Sequence, residues 1–160
     1  MIPIIDIFAG PGGLGEGFCS VLAGRGAPAF EIHLSIEMDE FAHETLRLRS
    51  FYRLFDRDQV PANYYDHLRG RITLKELYCR HPEQARLARR KAWRATLGKT
   101  SLARVRTCIT AALQGQEHGD HWVLIGGPPC QSYSLAESFK NVDNAEYDTE
   151  NYIRRQAWRS

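Results

Sequence analysis

The apolar positions of this chain follow two different periods in turn. Ile2 to Phe8 is a nearly continuous apolar run with Asp6 as its only charge, and it ends at Ala9-Gly10. Such a run predicts a strand of a parallel sheet covered on both faces. After Gly12 and Gly13, Leu14, Phe18, Val21 and Leu22 recur at helical spacing, and Gly24 and Gly26 mark the expected stop. Phe30 to Ile36 predicts a second strand, closed by Glu37. Glu40 to Tyr52 predicts a second helix, with Phe41, Thr45, Leu46 and Leu48 as its packing positions.

The pattern is less regular from Asp56 to Arg71, and a helical segment returns near Leu74 to Cys79. Pro82 then opens a helix expected to run to near Gly98, since proline suits the first helical position and glycine the one past the end. Ala85, Ala88, Ala92, Trp93 and Leu97 form its inner face. Thr100 or Ser101 is placed to cap the next helix. In that helix Leu102, Val105, Ile109, Ala112 and Leu113 make an apolar stripe, closed by Gly115. Trp122 to Ile125 predicts a final strand that runs into Gly126-Gly127-Pro128-Pro129-Cys130. Strands alternating with helices predict an α/β domain built on a parallel sheet. Residues 1–136 form that domain, and periodicity fades over residues 137–160, which read as a mobile tail.

Composition narrows the class. At 160 residues and 43% hydrophobic, the chain has the size of one domain with a core of its own. A net charge of +2 is too mild to demand a nucleic-acid partner, but the charge is uneven. Between Glu83 and Glu117 there is no acid, while arginines and lysines recur, chiefly on the helix that Pro82 opens. Such a stretch reads first as a solvated helix face. Cys19, Cys79, Cys108 and Cys130 form no Cys-x-x-Cys pair, so no metal site is expected. No signal peptide is evident, and no run is long enough to span a bilayer, so a cytoplasmic protein with reduced thiols is expected.

Two turns hold the candidate chemistry. Phe8-Ala9-Gly10-Pro11-Gly12-Gly13 links the first strand to the first helix, where glycines admit close approach of a ligand to the backbone. Glu37 closes the second strand, 24 residues after Gly13, where a carboxylate can accept both hydroxyls of a ribose. Met38 follows and could lie against an adenine face. The turn is not read as a dinucleotide Gly-x-Gly-x-x-Gly site, because Gly15 and Gly17 fall inside the expected helix and no phosphate-binding lysine follows. An adenosyl group without phosphates fits it better. At the other turn, the last strand and two prolines deliver the Cys130 thiol to the carboxyl edge of the sheet, and Gln131 and Ser134 offer polar contacts beside it.

Together these segments resemble the DNA (cytosine-5) methyltransferase family. Asp6-Ile7-Phe8-Ala9-Gly10-Pro11-Gly12-Gly13-Leu14 is similar to its first motif, Glu37 to the acid of its second, and Gly127-Pro128-Pro129-Cys130-Gln131 to its nucleophile motif. The resemblance covers nearly all of this chain and the amino-terminal half of such an enzyme. It implies a partial Rossmann-like, S-adenosylmethionine-dependent methyltransferase fold with S-adenosylhomocysteine as product. It also implies cofactor contacts from Phe8, Ala9, Gly10, Gly12, Gly13, Leu14, Glu37, Met38, Ile72 and Pro129. Ile72 enters because Gly70-Arg71-Ile72-Thr73 is the nearest candidate for the family's third motif, although Arg71 stands where an acid is usual. Cys130 would attack the base, and Gln131 and Ser134 would meet DNA around it.

The implied partner is double-stranded DNA with a flipped cytosine, as in a prokaryotic restriction-modification system, with the protein at the nucleoid when on DNA. The family's Glu-Asn-Val and Arg-x-Arg motifs and its target-recognition region are not found after Cys130. The chain therefore reads as a fragment-like form, inactive alone, whose open sheet edge calls for a complementary C-terminal polypeptide or self-association. The alternative is a non-catalytic protein of the same fold that binds S-adenosylmethionine or a partner chain.

Overall fold

The computed structural model describes residues 1–56, 58–114 and 121–128. Four parallel strands form one sheet in the order β3-β2-β1-β4. They are β1 (Ile2–Ile7), β2 (Phe30–Glu37), β3 (Ala92–Arg94) and β4 (Val123–Gly126). Among the described residues six α-helices accompany them: α1 (Gly13–Cys19), α2 (Glu40–Tyr52), α3 (Ala62–Leu68), α4 (Leu74–Arg80), α5 (Pro82–Lys91) and α6 (Leu102–Leu113). The chain is thus an α/β protein with a parallel sheet flanked by helices, consistent with a partial Rossmann-like methyltransferase fold.

Alternation of side chains along β1 divides the core. Ile4 packs with Ile32 and Ile125, against Phe18 and Cys19 at the end of α1. Ile5 packs with Leu34 and Ile36, against Val105, Cys108 and Ile109 of α6. The β1–β2 register slips between Ile4 and Ile5, leaving His33 as the extra residue. Its ring is 3.0 Å from the Ala112 carbonyl, so the bulge ties the sheet to α6. Leu46 of α2 meets Ala9 and Ala92, which seats α2 across the ends of β1 and β3. Phe51, Leu77 and Ala88 join α2, α4 and α5 in a separate cluster beside the sheet.

Local chemistry explains most of the helix starts. The Asp39 carboxylate accepts from the Ala42 amide at 2.8 Å and caps α2. Thr73 and Glu76 form a reciprocal capping box on α4. Pro82 opens α5, and Ser101 caps α6 by accepting from the Arg104 amide. Arg89, Arg90 and Lys91 sit in the last turn of α5, favourable to its dipole.

Several expectations are corrected. The first helix ends at Cys19, and Val21 and Leu22 are exposed. There the Ser20 hydroxyl donates to the Gly17 carbonyl, and the Ala29 amide donates to the Val21 carbonyl, which turns the chain back toward β2. Gly24–Gly26 is a single 3-10 turn and not the end of a helix. Phe41, at 79% exposed, and Thr45 do not pack, and Leu102 of α6 is also exposed. The irregular region contains α3, whose start at Pro61-Ala62 the sequence pattern did not single out.

The largest correction concerns the helix expected over 82–98. It stops at Lys91, and Ala92–Arg94 pair in parallel with Ser35–Glu37 as an edge strand. Ala92 faces Leu46 while Trp93 joins the cluster on the α6 side, an alternation that only a strand provides. Gly115 and residues 137–160 lie outside the described residues. At the opposite edge of the sheet, β4 pairs with β1 alone among the described residues, and Leu124 is exposed there.

Candidate functional site

All four strands point the same way, so the segments leaving them gather along one edge of the sheet. β2 and β3 lie on one side of β1, and β4 lies on the other. The order therefore reverses between β1 and β4, and a crevice beyond the carboxyl ends of such a pair is the usual ligand position in an open α/β sheet.

The glycine turn leaves β1 at this place. Phe8 has φ 53°, in the left-handed region that a bulky residue adopts only when its surroundings hold it there. Gly10 (φ 55°) and Gly12 (φ 89°) continue the reversal. A methyl group on Gly12 would lie 2.9 Å from Leu46 Cδ1, so glycine there lets α2 close on the turn. The space over Gly10 and Gly13 is open, which leaves that side of the turn available to a ligand.

Glu37 anchors the turn. One carboxylate oxygen, Oε2, accepts from the Gly10 amide at 2.7 Å. The other, Oε1, accepts from the amides of Met38 at 2.7 Å and Asp39 at 2.8 Å. The Ala9 amide donates to the Ile36 carbonyl at 3.1 Å, a second tie between the turn and β2. The carboxylate thus organises three backbone amides, and Oε2 keeps acceptor capacity for one more donor. Met38 is 57% exposed beside it, so its side chain is free to meet a planar group.

The end of β3 completes this side. The Ala95 amide donates to the Glu37 carbonyl at 3.0 Å. Arg94 reaches the Met38 carbonyl and pairs with Glu40 at 3.2 Å. The sequence pattern missed both residues, because Ala92–Arg94 carries helical spacing and gives no sign of the strand. Ile72, by contrast, is not brought to the turn. It packs with the Phe51, Leu77 and Ala88 cluster, near the far end of α2 from Glu37. Twelve or so helical residues at about 1.5 Å each separate the two ends.

Behind the turn lies Asp6. It is 1% exposed, and neither of its carboxylate oxygens has a hydrogen-bond partner. Burial pushes its carboxyl up to about 6, the nearby Arg53 guanidinium opposes the shift, and the Glu37 charge adds to it. Arg53 itself pairs with Glu16 of α1 and donates to the Ser50 hydroxyl at 3.2 Å. A methyl group on Gly15 would lie 3.2 Å from Asp6 Oδ2, so α1 sits close over the carboxylate. The signal for Asp6 was present in the sequence, as the only charge in an apolar strand.

The strand that leads to the cysteine turn is in register with β1, Gly126 opposite Ile7. Gly126 leaves no room for a side chain, since a methyl group would lie 2.5 Å from the Ile7 carbonyl oxygen. A methyl group on Gly127 would lie 3.9 Å from the Phe8 carbonyl oxygen, so the segment leaves the sheet alongside the glycine turn. Pro129, Cys130, Gln131 and Ser134 lie outside the described residues. Phe8, Ala9, Gly10, Gly12, Gly13, Leu14, Glu37 and Met38 share the one sheet edge.

Sequence comparison finds a relative. The chain is similar to the Type II methyltransferase M.Bpa9945I of Bacillus paralicheniformis, with 27% identity over 164 residues. The match covers 94% of this chain and 35% of that protein, so the chain spans about a third of its relative's length. No protein-family model matches the chain, and no solved structure matches it.

Proposed function

We propose that this chain is the cofactor-and-nucleophile part of an S-adenosylmethionine-dependent DNA (cytosine-5) methyltransferase. The observation that carries the reading is the junction of Glu37 with the Gly10 amide at 2.7 Å, beside the segment that leads into Cys130. It joins the acid and the glycine turn, which the sequence places 27 residues apart, in one cradle at the switch point of the sheet. The methyl-transfer part is supported by the match to a protein named as a methyltransferase. The cytosine part rests on the resemblance of Gly127-Pro128-Pro129-Cys130-Gln131 to the nucleophile motif.

The residues present fit the adenosyl group. Open space over Gly10 and Gly13 admits it, Oε2 of Glu37 can accept a ribose hydroxyl, and exposed Met38 offers an apolar face to the adenine. Phe8 is held at its strained backbone angle beside the same space. When bound, the cofactor supplies an electrophilic sulfonium methyl.

The protein's part is to make carbon 5 of cytosine a nucleophile. Thiolate addition from Cys130 to carbon 6 converts the ring to an enamine. Carbon 5 can then take the methyl, and loss of its proton with expulsion of the thiolate restores the ring. Carbon 6 is out of reach inside a duplex, so the base must leave the stack. Gln131 and Ser134 are the residues proposed to meet DNA there.

Calorimetric titration with S-adenosylmethionine tests the cradle. Wild-type protein should bind, and Glu37→Ala should bind at least tenfold more weakly. Transfer of labelled methyl to duplex DNA, with the remainder of the enzyme supplied as a second polypeptide if required, tests the chemistry. Cys130→Ser should keep cofactor binding and lose transfer. A folded wild-type chain that does not bind the cofactor with that second polypeptide present would overturn the reading.

A further inference from the structure

A groove also opens away from the sheet edge. It has a volume of about 820 Å³ and lies between α2, α4 and α5. Arg47, Lys75, Arg86 and Arg89 line it against a single carboxylate, Glu44. The Arg47 guanidinium carbon lies over the Tyr78 ring, 4.3 Å from its centroid, a contact that ties the cation to the groove wall. Two donors in that wall are spare: Arg47 Nε and the Tyr78 hydroxyl are buried and have no hydrogen-bond partner. Buried polar atoms of this kind normally have a partner. Lys75, Arg86 and Arg89 are exposed and enter no ion pair among the described residues.

We infer that this groove takes consecutive backbone phosphates of a nucleic acid, with Arg86 and Arg89 as the outer contacts and Arg47 and Tyr78 as the inner donors. Arg86 and Arg89 stand one turn apart on the same helix face, a spacing that presents two cations side by side. The cations come from three helices, which suits a chain of anions better than a single ion. None of the exposed large apolar side chains lies in the groove, and a lipid surface would need some to insert. The inference extends the proposed DNA substrate, giving the DNA a second contact away from the reacting base, and it rests on that reading for the identity of the polymer.

Fluorescence anisotropy with a labelled 24-base-pair duplex, run across a salt series on the full chain, tests it. The variants are Arg86→Gln with Arg89→Gln, and, as a matched charge control, Lys99→Gln with Arg106→Gln. All four side chains are exposed, so folding is not at stake. The groove pair should weaken binding roughly tenfold and lower the salt slope by about 2, since each arginine removed leaves one phosphate without its cation. The control pair should change neither by as much as half. Equal weakening by both pairs would mean diffuse attraction and would overturn the inference, as would wild-type affinity in the groove pair.

Calorimetry with tripolyphosphate separates the polymer from a small anion. Tight binding of tripolyphosphate that the groove pair abolishes, with DNA affinity untouched, would also overturn the assignment to nucleic acid. S-adenosylmethionine titration of the same proteins keeps the two readings apart. Cofactor binding with DNA binding that ignores the groove defeats only the groove. A wild-type chain that binds the cofactor and no DNA defeats the groove together with the DNA part of the proposed function.

Discussion

The Gly10 amide donates to Glu37 Oε2 at 2.7 Å, across 27 residues of sequence. This bond makes one carboxylate both the clamp of the glycine turn and an acceptor with capacity for one more donor. Glu37→Ala should therefore reduce stability as well as ligand affinity, because three backbone amides lose a charged acceptor. Hydrogen bonds to charged groups contribute about 1.5–3 kcal/mol each, and water can replace some of them at this edge. A loss of about 2–4 kcal/mol in urea unfolding is expected. Glu37→Gln should lose less, since its amide oxygen still accepts.

Two glycines should separate fold from ligand. Gly126→Ala forces a methyl group to within 2.5 Å of the Ile7 carbonyl, so β4 must shift from β1. A cost of about 1–3 kcal/mol is expected in thermal or urea unfolding. Gly10→Ala meets no neighbour and suffers only from φ 55°, at a cost of about 1–2 kcal/mol. Its larger effect should be on cofactor titration, because the methyl group occupies the open side of the turn.

Asp6 should give stability a distinct pH dependence. Its carboxyl is raised from 3.8 to about 6 by burial, so between those values the folded state holds a proton that the unfolded state releases. The contribution is most favourable below pH 3.8, falls as pH rises to about 6, and is flat above. Asp6→Asn should remove that fall. Melting temperatures of both proteins from pH 4 to pH 8 would show it, and a parallel decline in the variant would argue against the assignment.

Leu46 links α2 to the turn through Ala9 and Ala92, and it is 1% exposed. Leu46→Ala should cost about 2–5 kcal/mol in unfolding free energy. Cofactor affinity should fall with it, because Leu46 Cδ1 also bounds the Gly12 position. Phe41→Ala on the same helix, where the ring is 79% exposed, should leave both within error.

The features legible in the sequence were local. The apolar run of β1, the extent of β2 and α2, a cap for α6 at Thr100 or Ser101 and the strand before the cysteine turn were all legible. Each follows from neighbours within a few residues, through burial period, side-chain capping or a glycine stop. Glu37 was legible as a candidate because it closes a strand shortly after a glycine turn.

Tertiary structure decided where those pieces meet. Ala85, Ala88, Ala92, Trp93 and Leu97 fit a helix as a pattern, but the open edge of β2 offered hydrogen bonds to Ala92–Arg94, and the helix gave way to a strand. That exchange put Ala95 against Glu37, and packing among α2, α4 and α5 holds Ile72 with Phe51 and Leu77. The burial of Asp6 beneath α1, with Arg53 near it, is equally a matter of packing. β1 pairs with β4 across more than a hundred residues, and the switch point exists only once that pairing is made. Hydrogen bonds between distant strands depend on which edge is free when the sheet assembles, and no local period encodes that.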